Sequence, residues 1–185
     1  MENLQWSRRE KGESGTVMKL RQGTDVVAVD VITQEGVSGR MSVGGSEPWR
    51  LHVAPDDGAS ATTPDGRVYS AKPEEAGTKF TKAKAFTVDA NGRAMRVVNE
   101  SANNWVVEDH DGTKLGQFTG FNSGVRDVEL DLSDLPSDDL LSQEEAVFLA
   151  WLARIALENR LESRSTIIIA TLVLLTILAL AVFLL

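Results

Sequence analysis

The chain offers two histidines, His52 and His110, and no cysteine for nucleophilic, acid–base or metal chemistry. Thiolate catalysis, disulfides and Cys-ligated metals are therefore excluded. A zinc site would need further nitrogen or sulfur ligands at regular spacing. Isolated histidines on strands and turns read as surface polar groups. Asp109-His110-Asp111-Gly112 has the alternating oxygens of a calcium loop, but the distal Glu and the flanking helices of an EF-hand are missing. Asp-Gly serves hairpins, so a turn is expected there. The glycine-rich Gly36–Ser46, GVSGRMSVGGS, lacks the Gly-Lys-Ser/Thr ending of a phosphate loop, and no helix pattern follows it; it reads as turn sequence. There is no Gly-x-Ser-x-Gly elbow and no ligand set for haem or an iron–sulfur cluster. No catalytic residue, metal site or cofactor is assigned, and the chain is not expected to be an enzyme or to bind a small-molecule substrate.

Lys79, Lys82 and Lys84 lie together in TKFTKAKAF. As a strand, this segment would put Lys82 and Lys84 on one face, where they are candidates for lipid-headgroup contacts; solvated edge lysines are the ordinary alternative. Lys and Arg total 19 against 27 Asp and Glu, a formal net charge of -8. Nucleic acid rewards clustered basic residues, so no nucleic-acid partner is expected. Trp6, Trp49, Trp105 and Trp151 are spread one per segment, which suits core pillars better than a base-stacking platform.

The elements that must position these residues are short. Runs rich in Val, Thr, Phe and Trp recur at Thr16–Arg21, Asp25–Ile32, Arg40–Val43, Trp49–Val53, Arg67–Ser70, Phe86–Asp89, Arg93–Asn99, Trp105–Glu108, Lys114–Phe118 and Val125–Leu132. In the last, Val128, Leu130 and Leu132 alternate with Glu129 and Asp131, the period of a half-buried strand. Glu35-Gly36, Asp57-Gly58, Asp65-Gly66, Asn91-Gly92 and Asp111-Gly112 fall between runs. Asn-Gly and Asp-Gly supply the positive φ that hairpins need. About ten to twelve antiparallel strands in one barrel or sandwich are expected, with long loops at Ala54–Gly66 and Ser70–Gly77.

After the polar break at Leu135–Asp139, Ser142 and Glu145 form a capping box that opens a helix. Its body, AVFLAWLARIAL from Ala146 to Leu157, is apolar on nearly every face, and only Arg154 interrupts it. Such a helix must be wholly buried or in lipid, and twelve residues are too few to cross a bilayer. A closed barrel with this helix threaded through it satisfies both constraints. The fold class is therefore mainly β (α+β), with Phe148, Trp151, Leu152 and Ile155 as the helix's contribution to the core.

From Thr166 to Leu185 the chain reads TIIIATLVLLTILALAVFLL, without a charge, Gly or Pro. As a helix it is roughly 30 Å long, the thickness of a bilayer's hydrocarbon core, and it is expected to be a single transmembrane helix. A buried soluble helix is the alternative, but nothing else in the chain is large enough to cover it. Because the run ends the sequence, a tail anchor is expected. Arg154, Arg160 and Arg164 precede it and no basic residue follows, which places the preceding domain in the cytoplasm at the cell membrane. Thr166 and Ala170 form a small-xxx-small pair, and Thr171 and Thr176 add weak polar contacts for helix packing. The N-terminus, MENLQWSRREKG, has no apolar core of a signal peptide.

Three segments carry a likeness to a known group: AFTVDANGRAMRVV (Ala85–Val98), NWVVEDHDGTKLGQFTG (Asn104–Gly120) and the helix Glu144–Leu161. In their order and pattern they resemble the tubby, LURP-one and phospholipid-scramblase group. The resemblance implies a twelve-stranded barrel enclosing its last helix. The chain differs by adding a membrane helix and by being acidic where the lipid-binding members present a basic cluster. Residues 1–161 are expected to form the barrel with its helix at about 143–161, 162–165 a linker, and 166–185 the membrane helix. The expected function is a tail-anchored, non-enzymatic accessory or scaffold subunit of a larger integral-membrane complex, with a bacterial respiratory supercomplex as the named example. Phospholipid binding or handling at the bilayer is the alternative that the resemblance implies.

Overall fold

The computed structural model describes residues 3–13, 15–32, 38–54, 56–101, 104–119, 128–132 and 141–158, together with Leu172, Leu175 and Thr176. Among these, thirteen strands form one antiparallel sheet: β1 (Leu4–Trp6), β2 (Glu10–Gly12), β3 (Gly15–Gln22), β4 (Asp25–Ile32), β5 (Ser38–Val43), β6 (Trp49–Ala54), β7 (Gly58–Thr62), β8 (Val68–Pro73), β9 (Ala85–Ala90), β10 (Arg93–Asn99), β11 (Asn104–Asp109), β12 (Lys114–Thr119) and β13 (Glu129–Asp131). Each strand from β3 to β13 pairs with the next, and β1 then bridges β13 (Leu4↔Leu130) and β3 (Gln5↔Arg21). The sheet thus closes into a twelve-strand barrel. β2 continues the line of β1 along the other half of β3 (Glu10↔Val17), so β1 and β2 are two pieces of one broken strand. Closure removes the unpaired edges that an open sheet of this size would expose.

Alternation sorts the strands into an inner and an outer face. Met18 and Leu20 of β3, Trp49 and Leu51 of β6, Phe86 and Val88 of β9, and Trp105 and Val107 of β11 are all buried. β7 points only Ala59 and Ala61 inward, between strands carrying Trp49 and Tyr69. Small and large side chains alternating around the wall leave room for what fills the middle.

That filling is a helix, α1, over residues 143–158. Its capping box is reciprocal: Ser142 N–H donates to Glu145 Oε2 at 2.7 Å, and Glu145 N–H donates to Ser142 Oγ at 3.2 Å. Every residue from Ala146 to Leu157 is at most 7 % exposed. Burial on all faces is possible only for a helix that is surrounded, and strands from opposite sides of the ring touch it. Trp6 of β1 donates its indole N–H to Ala150 O at 2.8 Å, while Tyr69 of β8 packs on Phe148 with centroids 5.5 Å apart. Phe148, Trp151, Leu152 and Ile155 all lie in this core.

Strand direction defines two rims. Five tight turns, at 23–24, 44–48, 63–67, 91–92 and 110–113, lie at one end of the barrel. Asn91 (φ 55) and Gly92 (φ 96) make the left-handed pair that a two-residue hairpin demands. The connections β4–β5, β6–β7, β8–β9 and β10–β11 close at the other end. α1 enters at the turn rim, where Glu145 meets Arg93 at 3.7 Å, and runs toward the loop rim, where Glu158 meets Arg9 at 2.8 Å.

Several sequence expectations are corrected. Ala54–Gly66 is not one loop, because β7 lies inside it. Its Gly-Ala-Ser-Ala-Thr lacks the bulky residues that mark strands, since a larger inward side chain would displace the helix. Ser70–Pro73 belongs to β8, so the long described connection is instead 74–84. Lys82 does not lie on a strand but ends a 3-10 turn, Phe80–Lys82, which lets Phe80 pack on Phe86 at 4.7 Å. The glycine-rich 36–46 segment supplies β5 and the Gly44–Gly45 turn. Among the described residues no helix is long and apolar enough to cross a membrane. Thr166, Ala170, Thr171 and the linker 162–165 lie outside the described residues, as do the last residues of the helix expected to 161. Within the apolar run Leu172, Leu175 and Thr176 are helical, and Thr176 donates its hydroxyl to Leu172 O at 2.8 Å.

Candidate functional site

The polar groups brought together by the fold sit along α1. Near its C-terminal end, Arg154 donates through Nη2 to Asp30 Oδ2 of β4. The two side chains are 3 % and 2 % exposed. Alternation turns Asp30 inward with Ala28, and the helical period turns Arg154 toward β3 and β4. The Arg154 guanidinium also reaches Met18 Sδ at 3.0 Å, and it lies 4.7 Å from the Trp6 ring centroid, a cation–π contact. Asp30 Oδ1 and Arg154 Nε are buried without a hydrogen-bond partner among the described residues. Burial pushes the Asp30 carboxyl above its usual 3.8, outweighing the downward pull of Arg154.

At the other end, Glu144 receives a fork from β8 and the turn before it. Arg67 donates through Nη1 to Oε2 and through Nη2 to Oε1 (2.8 Å), and Tyr69 Oη donates to Oε2 at 3.1 Å. Arg67 Nε donates in turn to Asp65 at 2.8 Å. Burial, then the Glu144 charge, pushes the Tyr69 phenol up to about 12. The Glu144 and Asp65 hydrogen bonds hold Arg67 charged. These groups have the geometry of clamps: Asp30, Asp65 and Glu144 are each engaged by an arginine.

The residues singled out in the sequence are dispersed by the fold. His52 is exposed on β6, and His110 is exposed in the β11–β12 turn at the turn rim. Asp109, His110 and Asp111 lie close enough to share an ion, but Asp109 Oδ1 is already used. It accepts the N–H of Asp111 at 2.9 Å and of Thr113 at 2.8 Å. The Thr113 hydrogen bond, above all, holds its carboxyl below 3.8. Lys79 pairs with Asp56 at 3.4 Å. Lys82 and Lys84 line a depression of about 400 Å³ together with Glu74, Glu75 and Thr78. Arg154 is interior and ion-paired, so it is not one of the boundary charges ahead of the apolar run; Arg160 and Arg164 lie outside the described residues.

Asp30, Arg67 and Glu144 escaped the sequence reading. The signal for Asp30 was present, because it is the lone polar residue inside VVAVDVI (Val26–Ile32), as Arg154 is inside AVFLAWLARIAL. Two solitary opposite charges in two apolar elements are a candidate buried pair. Arg67 and Glu144 carried no such mark, being ordinary polar residues at element ends. Comparison of the chain with family models, with curated proteins and with solved structures finds no match in any of the three.

Proposed function

We propose that this protein is a non-enzymatic, membrane-anchored interaction module, an accessory or scaffold subunit of a larger integral-membrane complex. The carrying observation is that the barrel is filled by its own helix, with Trp6, Tyr69, Phe148 and Trp151 packed through the middle. A barrel occupied in this way presents its outer wall and rims to partners rather than an interior chamber. The helix that fills it points out of the loop rim, toward the chain that leads to the apolar run. The barrel would stand on the cytoplasmic side, held close to the bilayer by residues 166–185. A closed twelve-strand barrel around a helix also supports kinship with the tubby, LURP-one and scramblase group; kinship of fold does not carry activity with it.

Gentle detergent extraction of the native protein, affinity purification and mass spectrometry of what stays bound test this reading. A stoichiometric set of integral-membrane proteins, lost on deletion of residues 165–185, is the expected result. A respiratory supercomplex is the first assembly to look for in that set. A protein that emerges alone would overturn the accessory-subunit reading.

A further inference from the structure

Among the described residues, Asp30 is the one carboxylate buried on the inner face of the wall. Directly opposite it stand Met18 of β3 and Met41 of β5, both buried, and a thioether cannot donate a hydrogen bond. Arg154 Nη2 engages Oδ2. Asp30 Oδ1 and Arg154 Nε remain, both buried and both without a partner among the described residues. Covalent geometry keeps these two atoms close to the bond already made. Nε and Nη2 form one edge of the guanidinium, and Oδ1 and Oδ2 share one carbon, so half of a two-bond fork is in place.

The next inward position on β5 is Gly39, which pairs with Leu51 of β6. A Cβ built there would stand 3.6 Å from Asp30 Oδ1, 3.6 Å from Leu51 Cδ1 and 3.7 Å from Val31 O, with nothing nearer. These are ordinary contacts, so the wall has room for a methyl-sized group beside the orphaned oxygen. Gly39 is not in left-handed backbone, so conformation does not call for glycine here. It is half-buried and is the second residue of β5, near the loop rim, which gives small molecules a way in from solvent.

Size and polarity together choose the occupant. It must accept from a guanidinium and donate to a carboxylate. A cation would stand against Arg154, and an anion against Asp30. A neutral molecule no larger than a methyl group is left, and water is the one that both donates and accepts. Buried waters hold roughly two to four such bonds.

We propose that one structural water binds beside Gly39, accepting from Arg154 Nε–H and donating to Asp30 Oδ1, with Val31 O as its second acceptor. The water completes the fork between α1 and the wall. The proposal depends on neither the membrane anchor nor a protein partner.

The test uses the full chain in detergent micelles with isotope-labelled arginines, and reads magnetisation transfer from water to the Arg154 Nε proton. A bound water gives a cross-peak of opposite sign in NOE and ROE spectra, whereas proton exchange gives the same sign in both. The dipolar cross-peak is expected in the native chain and should vanish in G39A, whose methyl takes the water's place. G39S carries the same Cβ and adds a hydroxyl that can donate to Oδ1 in the water's stead. Its unfolding constant should be about tenfold lower than that of G39A, the worth of one hydrogen bond to a charged group. A native chain without the dipolar cross-peak overturns the proposal, and that reading needs no variant to fold. A cross-peak that survives in G39A, or equal stability of G39A and G39S, overturns the placement beside Gly39.

Discussion

Arg154 of the central helix donates to Asp30 of the barrel wall in a site where both side chains are almost fully shielded from water. The other side chains from Ala146 to Leu157 are apolar, so within the barrel this pair and the Trp6 hydrogen bond to Ala150 O are the directional contacts that fix the helix's rotation and depth, with Glu144 held at its mouth by Arg67 and Tyr69. We therefore assign the pair a register role, as buried polar pairs have elsewhere.

Removing one partner leaves the other charge buried and unmatched, so Asp30→Asn and Arg154→Met should each destabilise the protein by about 3–5 kcal/mol. The double replacement should recover most of that loss. A double-mutant cycle by denaturant unfolding of the full chain, read by tryptophan fluorescence, measures it; additive losses would remove the coupling. The pair also sets a pH dependence. With its folded pKa raised above 3.8, Asp30 holds its proton more tightly in the folded state, so its contribution is fully present below 3.8 and is lost as pH rises through the raised value. Asp30→Asn should flatten that segment of the stability–pH profile.

Tyr69 is the only tyrosine in the chain, so its phenol can be titrated by absorbance without interference from another. The native protein should ionise near 12. In Glu144→Gln the charge and the hydrogen bond are weakened while burial remains, so the value should fall yet stay above the ordinary 10.0. An unchanged titration would mean that Glu144 does not engage the phenol in solution.

Gly58 opens β7 at φ 127, and a Cβ there would meet Ala71 O at 2.2 Å, a backbone atom that cannot step aside. Gly58→Ala should cost at least about 1–3 kcal/mol from backbone strain, before the clash is relieved. Gly66, at φ 88 with open space around it, is the control: Gly66→Ala should pay only the positive-φ strain, about 1–2 kcal/mol, with no clash added. Thermal melts of the two variants side by side check the ranking, and equal shifts would contradict it.

The sequence by itself determined the class of the protein. Period-two runs with Asn-Gly and Asp-Gly between them require antiparallel hairpins. A twelve-residue stretch from Ala146 to Leu157 that is apolar on nearly every face, with Arg154 its one interruption, requires an enclosure, and strands are the material available to build one. These are local rules, set by dihedral preference and by the cost of apolar surface in water, so they are readable without knowing which strand meets which. β7 escaped because its small residues are explained only by the bulk of Trp49 and Tyr69 beside it and by the helix behind it. Asp30 and Arg154 stand out in the sequence as solitary charges in apolar elements, but that they meet, and that Arg67 meets Glu144, was decided by tertiary structure. Asp30 and Arg154 are 124 residues apart in sequence, and Arg67 and Glu144 are 77 apart. Their attraction matters only once closure of the barrel has excluded water and fixed the depth of the helix. The shared rim of Lys82, Lys84 and the helix exit is of the same kind, because it follows from strand parity around a closed ring, which no local pattern encodes.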